Sequence, residues 1–158
     1  MIKVLFVCLG NICRSPMAEA VFRNKVEKAG LANQIEVDSA GTGAWHIGEP
    51  PHEGTRNKLQ ELGLSFQGMK GRQITHEDLE QFDYIIGMDE SNIANINKLA
   101  KQAPKAKIRR LMSYINDDPG KDVPDPYFTG NFDEVYEMID KGTDQLLEEI
   151  CKDNHIEF

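Results

Sequence analysis

No run of about 20 apolar residues occurs in this 158-residue chain, so no membrane-spanning helix is expected. Positive charge is also in short supply. Eighteen Lys and Arg face 26 Asp and Glu, for a net charge of −8, which argues against a nucleic-acid partner. Any anion must then be drawn by local groups and not by the field of the whole molecule. Cysteine is sparse, and an odd count of three suits a reducing compartment better than a disulfide scaffold, so a cytoplasmic location is expected. His46, His52, His76 and His155 are scattered, and no Cys or His pair has zinc-ligand spacing, so no metal is expected. Neither a Walker-type glycine loop nor a strand-linked Gly-x-Gly-x-x-Gly is present, which leaves a nucleotide cofactor without support. The apolar N-terminal run is interrupted too soon, by Gly10 and Arg14, to be a signal peptide. Internal repeats and low-complexity segments are missing too, and residues 1–158 read as one domain with one sizeable core.

What the chain does have is concentrated in Val4 to Pro16, VLFVCLGNICRSP. Ile2 to Val7 carries Lys3 as its one charged residue and reads as a parallel strand buried on both faces. Behind the loop, Ser15 is a favoured N-cap and Pro16 suits the first helical position. Met17, Ala20, Val21 and Val26 then supply a helical apolar face. Between strand end and helix start, unpaired backbone N–H groups and the helix dipole converge on an anion. Gly10 and Asn11 tolerate left-handed backbone angles and let the loop turn its amides inward. Cys8 sits at the mouth of this nest, where positive potential favours thiolate over thiol. Arg14 adds a planar fork that grips two oxygens of a phosphate-like group. Ser15 can donate its hydroxyl to the sulfur. An anionic nucleophile beside an anion cradle points to covalent phosphoryl transfer through a phosphocysteine, with no cofactor.

The loop resembles the C-x-G-N-x-C-R-S-P signature of the low-molecular-weight protein tyrosine phosphatases, matched here by Cys8, Gly10, Asn11, Cys13, Arg14, Ser15 and Pro16. The similarity extends through Asp38 to Thr42, Phe82 to Asn92 and Val123 to Phe128, so it covers essentially the whole chain. The resemblance implies Cys8 as nucleophile, Arg14 as phosphate binder, Asn11 as keeper of the loop shape and Ser15 as assistant to the leaving sulfur. With Leu9, Gly10, Ile12 and Cys13, those residues form the expected phosphate-binding set, and Ser39 is carried over as a hydrogen-bond partner of the loop. Eukaryotic members have a histidine just before the Arg-Gln-Ile segment that helps hold the loop asparagine. Gly68 to Arg72 contains none, so the support of Asn11 is expected to differ.

A phenol leaves sluggishly unless it is protonated as the bond breaks, because its reference pKa is about 10. Asp125, stiffened by Pro124 and Pro126, is the best proton donor, and Tyr127 and Phe128 are expected to wall a slot for a flat ring. The family's general acid lies in such an Asp-Pro-aromatic loop. Asp122 is the rival carboxylate. Trp45, in a glycine-rich stretch, reads as a third aromatic at the rim, in a loop to which the family assigns specificity. Ile12 stands where the resemblance implies a threonine in arginine-phosphate phosphatases; it either favours phosphotyrosine or is simple filler. Cys13 is either a reversible disulfide partner for Cys8 or a small buried loop residue, and Cys151 reads as helix packing.

Gln34 to Ser39, Asp83 to Met88 and Ile108 to Tyr114 read as further strands. Glu53 to Leu62, Glu90 to Lys101 and Asp133 to Lys152 read as helices, the last weakened by Gly142. The alternation implies a three-layer α/β sandwich, Rossmann-like, around a mainly four-stranded parallel sheet with helices on both faces. The expected activity is hydrolysis of phosphotyrosine in proteins or peptides, releasing inorganic phosphate. A protein arginine phosphatase is the alternative. An arsenate reductase and a phosphocarrier module fit less well, the first for want of relay cysteines and the second because it has no use for Asp125.

Overall fold

The first strand, β1 (Ile2–Cys8), splits its side chains between two cores. Val4, Phe6 and Cys8 join one apolar cluster, and Leu5 and Val7 join the other, as the two-residue period of a doubly covered strand requires. The computed structural model describes residues 1–115 and 122–157. Strands β2 (Ile35–Gly41), β3 (Tyr84–Gly87) and β4 (Lys107–Arg110) complete a parallel sheet in the order β2-β1-β3-β4. The register pairs Cys8 with Gly41 and Val7 with Gly87, so the ends of β2, β1 and β3 lie level.

Helices α1 (Arg14–Lys28), α2 (Glu53–Glu61) and α6 (Phe132–Asp153) build the core on one face of the sheet. On the opposite face, Leu79 of α3 (His76–Gln81) and Ile96 of α4 (Glu90–Lys98) pack against Leu5, Val7 and Ile85. Chain direction across the sheet reverses at β1, with β2 laid on one side and β3 on the other. Ligands of open α/β sheets bind beyond the strand ends at such a point.

Several expectations need correction. Ser15 is not the N-cap of α1: the helix starts at Arg14, Cys13 occupies the cap position, and the Ser15 hydroxyl is used inside the loop instead. The segment expected as one strand from Ile108 to Tyr114 is strand only to Arg110. Leu111–Tyr114 then coils into a 3-10 turn that buries Leu111 and Met112. Helix α4 ends at Lys98, three residues short of the expected Lys101. Helix α6 runs unbroken through Gly142, against which Leu111 packs. A Cβ at that position would lie 2.6 Å from Leu111 Cγ. Two short helices, α3 and α5 (Pro126–Thr129), were not expected, since neither is long enough to show a hydrophobic period.

Candidate active site

The loop between β1 and α1 has its carbonyls pulled outward by neighbouring elements. Cys8 O and Leu9 O accept from Thr42 N at 2.9 Å and Gly43 N at 2.8 Å, just beyond β2. On the other flank, Ile12 O accepts from His52 N at 2.7 Å, and Cys13 O from Thr55 Oγ1 at 3.1 Å. Among the described residues, no amide N–H from Leu9 to Cys13 donates to a protein acceptor. With carbonyls out and amides free, the loop forms a nest for an anion. Asn11 makes the turn with φ 57°, as expected, whereas Gly10 is not in the left-handed region. Gly41 allows the close fit, since a Cβ there would lie 2.9 Å from Leu9 O and 3.0 Å from Asn11 N.

Hydrogen bonds inside the loop have a direction that can be followed from one obligatory donor. The Arg72 backbone N–H points at Asn11 Oδ1 at 3.0 Å, which fixes the amide and turns Asn11 Nδ2 toward Ser15 Oγ at 2.8 Å and Ser39 Oγ at 3.0 Å. Ser39 Oγ in turn donates a hydrogen bond to Glu19 Oε1 at 2.5 Å, and Glu19 Oε2 accepts from Arg23 at 2.6 Å. Ser15 accepts from Asn11, and its proton has Cys8 Sγ at 3.0 Å as the nearer acceptor, against Ala40 O at 3.4 Å. A hydroxyl is thereby aimed at the sulfur. Asn11 is thus held by the Arg72 backbone amide and by a Ser39–Glu19–Arg23 network.

Arg14 is 2 % exposed, and three groups hold its guanidinium. Nη1 donates to Asp89 Oδ2 at 2.7 Å and to Val123 O at 3.0 Å, and Nη2 to Asp125 Oδ2 at 3.3 Å. Nε is buried and has no partner among the described residues. Burial opposes the charge, but the Cys8 sulfur, Asp89 and Asp125 outweigh it and push the guanidinium pKa above its ordinary value. Asp89 follows β3 and caps α4, accepting from Asn92 N at 2.7 Å. Asp125 caps α5 and accepts from Tyr127 N at 3.1 Å. Its rival Asp122 instead bonds Arg110 Nη1 at 3.1 Å and Glu90 N at 3.2 Å.

Cys8, Leu9, Gly10, Ile12, Cys13, Trp45, His46, Asp125, Tyr127 and Phe128 line one cleft of about 120 Å³. Trp45 and Phe128, 70 % and 77 % exposed, form its outer rim. Asn11 and Ser15 are buried behind the loop, and Ser39 lies one step further back. Nearly all the expected site residues are thus gathered around one sulfur, although they come from three distant stretches of chain. Asp89, Glu19 and His46 were not anticipated as contributors. The pattern Asp89-Glu90-Ser91-Asn92 at a strand end marks Asp89 as a helix cap but not as a partner of Arg14, and Glu19 reads as a helix-surface carboxylate. His46 sits against Gly10 with Nδ1 bonded to Glu49 Oε2 at 2.7 Å. A larger cleft of about 380 Å³ lies between β4 and α6, away from these groups.

Residues 3–156 match the family described as low molecular weight phosphotyrosine protein phosphatase. This chain belongs to that family. It is accordingly a protein tyrosine phosphatase, a phosphoric monoester hydrolase. It is 54 % identical over 156 residues to the low-molecular-weight protein-tyrosine-phosphatase YfkJ of Bacillus subtilis, covering 99 % of this chain and 100 % of that one. The Staphylococcus epidermidis phosphatase PtpA is 44 % identical over 99 % of this chain and 98 % of its own. The YfkJ crystal structure superposes with a TM-score of 0.93 at 55 % identity, covering 97 % of this chain and 96 % of that one. A Drosophila arginine phosphatase superposes with a TM-score of 0.88 at 37 % identity, over 94 % and 98 % of the two chains. Within the family fold, no described helix of this phosphatase is long and apolar enough to cross a membrane.

Proposed function

We propose that this phosphatase hydrolyses phosphotyrosine in proteins or peptides by a two-step transfer through Cys8. The observation that carries the reading is the single cleft holding the Cys8 sulfur, the amide nest and Asp125, with Arg14 joining nest and carboxylate. In the first step the Cys8 thiolate attacks phosphorus. The bond from phosphorus to the phenolic oxygen breaks, and protonated Asp125 gives its proton to that oxygen. The amides from Leu9 to Cys13, with Arg14, take up the charge on the transferring phosphoryl group. In the second step Asp125, now ionised, takes a proton from water whose oxygen attacks phosphorus. The phosphorus–sulfur bond breaks, inorganic phosphate leaves, and the Ser15 hydroxyl meets the returning thiolate.

Aromatic walls support an aryl substrate. Tyr127 and Phe128 meet edge to face at 5.4 Å, and Trp45 stands on the same rim. Ile12, 8 % exposed, gives the cleft an apolar floor beside Cys8 that suits a phenyl ring better than a guanidinium. Phosphoarginine is the second reading, favoured by the structural likeness to the Drosophila arginine phosphatase. The three unpaired cysteines fit a reducing, cytoplasmic setting, and the chain is read as one domain over 1–158.

Asp125→Asn tests the scheme. Its kcat on aryl phosphates is expected to fall about 10²- to 10⁴-fold while vanadate still inhibits at wild-type concentrations. Undiminished turnover would remove Asp125 as the proton donor.

A further inference from the structure

The segment Pro50-Pro51-His52-Glu53-Gly54 starts α2, and His52 at its N-cap does not line the cleft. It nevertheless touches both halves of the site. Its backbone N–H donates to Ile12 O at 2.7 Å, which anchors it to the phosphate loop. Its Nδ1 accepts from Gly54 N at 3.0 Å, so the ring carries its proton on Nε2 and its plane is fixed by the cap. One face of that ring stacks on Phe132 at 5.4 Å with 18° between planes. The same ring meets Tyr127 edge-on at 5.8 Å and 73°.

Phe132 is partly buried and packs against the first turn of α2. It is seated on Gly54 so closely that a Cβ there would fall 2.2 Å from the Phe132 ring. Tyr127 in turn donates its backbone N–H to Asp125 Oδ1 at 3.1 Å. A continuous run of contacts therefore leads from the phosphate-loop backbone through His52 to Tyr127 and the carboxylate. The exposed four-residue helix α5 has little packing of its own: of its residues only Pro126 is buried. A backstop behind Tyr127 is what such an element lacks.

We propose that His52 is a positioning residue for the proton donor, its imidazole acting as a spacer between Phe132 and Tyr127 that sets how far Asp125 stands from the phosphate loop. This rests on the assignment of Asp125 as general acid. A capping role alone would stabilise α2 and leave proton donation untouched. The two roles separate because aspartate keeps an acceptor for Gly54 N without a ring, whereas phenylalanine keeps a ring without the acceptor.

The test compares kcat/KM of wild type, His52→Asp, His52→Phe and Asp125→Asn on phenyl phosphate, a poor leaving group, and 2,4-dinitrophenyl phosphate, a good one. Inhibition by inorganic phosphate monitors the loop. Asp125→Asn must lose far more on phenyl phosphate than on the dinitrophenyl ester. If it does not, the general-acid assignment fails and this inference with it. Given that signature, His52→Asp is expected to lose roughly two- to tenfold on phenyl phosphate. It should keep its dinitrophenyl rate and phosphate inhibition, and His52→Phe should stay near wild type on both esters. Equal losses on the two esters in His52→Asp, no loss at all, or a His52→Phe protein that falls as far as His52→Asp would each overturn the proposal.

Discussion

Arg14 Nη2 lies 3.3 Å from Asp125 Oδ2, although the two residues are 111 positions apart in the chain. One guanidinium thus reaches from the phosphate loop to the candidate proton donor. The other arm of the fork is fixed by Asp89 Oδ2 at 2.7 Å, in a site where Arg14 is almost wholly buried. Loss of any one contact is expected to disturb the others.

Asp89→Ala removes a charge-assisted hydrogen bond and leaves Arg14 to be held by Val123 O and Asp125 alone. The cost is expected to be about 2 kcal/mol in transition-state binding, roughly 30-fold in kcat/KM. Steady-state kinetics on p-nitrophenyl phosphate checks this, and a change of less than about twofold would mean that Asp89 serves only to cap α4.

Ser39→Ala breaks the network at its midpoint. Asn11 Nδ2 loses one acceptor, and Glu19 loses the short bond from Ser39. Stability is expected to fall by about 1–3 kcal/mol because buried polar groups are left unsatisfied. Turnover should fall as well, since Asn11 orders the loop. Urea denaturation with parallel kinetics reads both, and a protein as stable and as active as wild type would show that the Arg72 amide suffices to hold Asn11.

Ile12→Thr tests the aryl preference. Adding a hydroxyl to the cleft floor should raise phosphoarginine turnover relative to phosphotyrosine, measured as a ratio of kcat/KM values on matched peptides. An unchanged ratio would assign specificity to the rim formed by Trp45, Tyr127 and Phe128 instead.

Cys13 shares the cleft with Cys8 but resists ionisation, its pKa pushed up to about 12. Burial is the main cause, followed by the charges of Cys8 and Asp125, which outweigh Arg14. If Cys13 is the disulfide partner of Cys8, peroxide is expected to convert the Cys8 thiolate to a sulfenic acid, and attack by the Cys13 thiolate on that sulfur then forms the disulfide and expels hydroxide. Because that thiolate is scarce at neutral pH, disulfide formation should accelerate as pH rises toward the pKa of Cys13, read by non-reducing mass spectrometry. A rate independent of pH would mean that the thiol ionises during a prior opening of the loop.

Much of this was legible in the residues. The strand-loop-helix order around Cys8 follows from an apolar run, left-handed-tolerant residues and a Ser-Pro pair, each with a local physical cause. Asp125 is legible because a phenol leaving group requires a proton donor and Pro124 and Pro126 stiffen the loop that carries this carboxylate. The Arg14–Asp89 pair was not found, because nothing local to Asp89 distinguishes an aspartate that caps a helix from one that also anchors an arginine 75 positions earlier. Glu19 was missed for the same reason: its burial depends on Ser39 and Arg23 arriving from β2 and the next helical turn. His52 and Phe132 meet only because Gly54 leaves room, a three-body fit that no periodicity reports. The end of β4 was misplaced because Leu111 to Tyr114 is as apolar as a strand, and its coil is decided by packing against α6.

Phosphate is expected to pass through Cys8 as a covalent phosphocysteine. Rapid quenching of the enzyme with p-nitrophenyl phosphate, followed by peptide mass spectrometry, tests it most directly. The expected result is one phosphoryl group on Cys8, more abundant in Asp125→Asn because the water attack is slowed, and none in Cys8→Ser, which should also be inactive. Turnover by Cys8→Ser at the wild-type rate, or product release with Cys8 never phosphorylated, would contradict it.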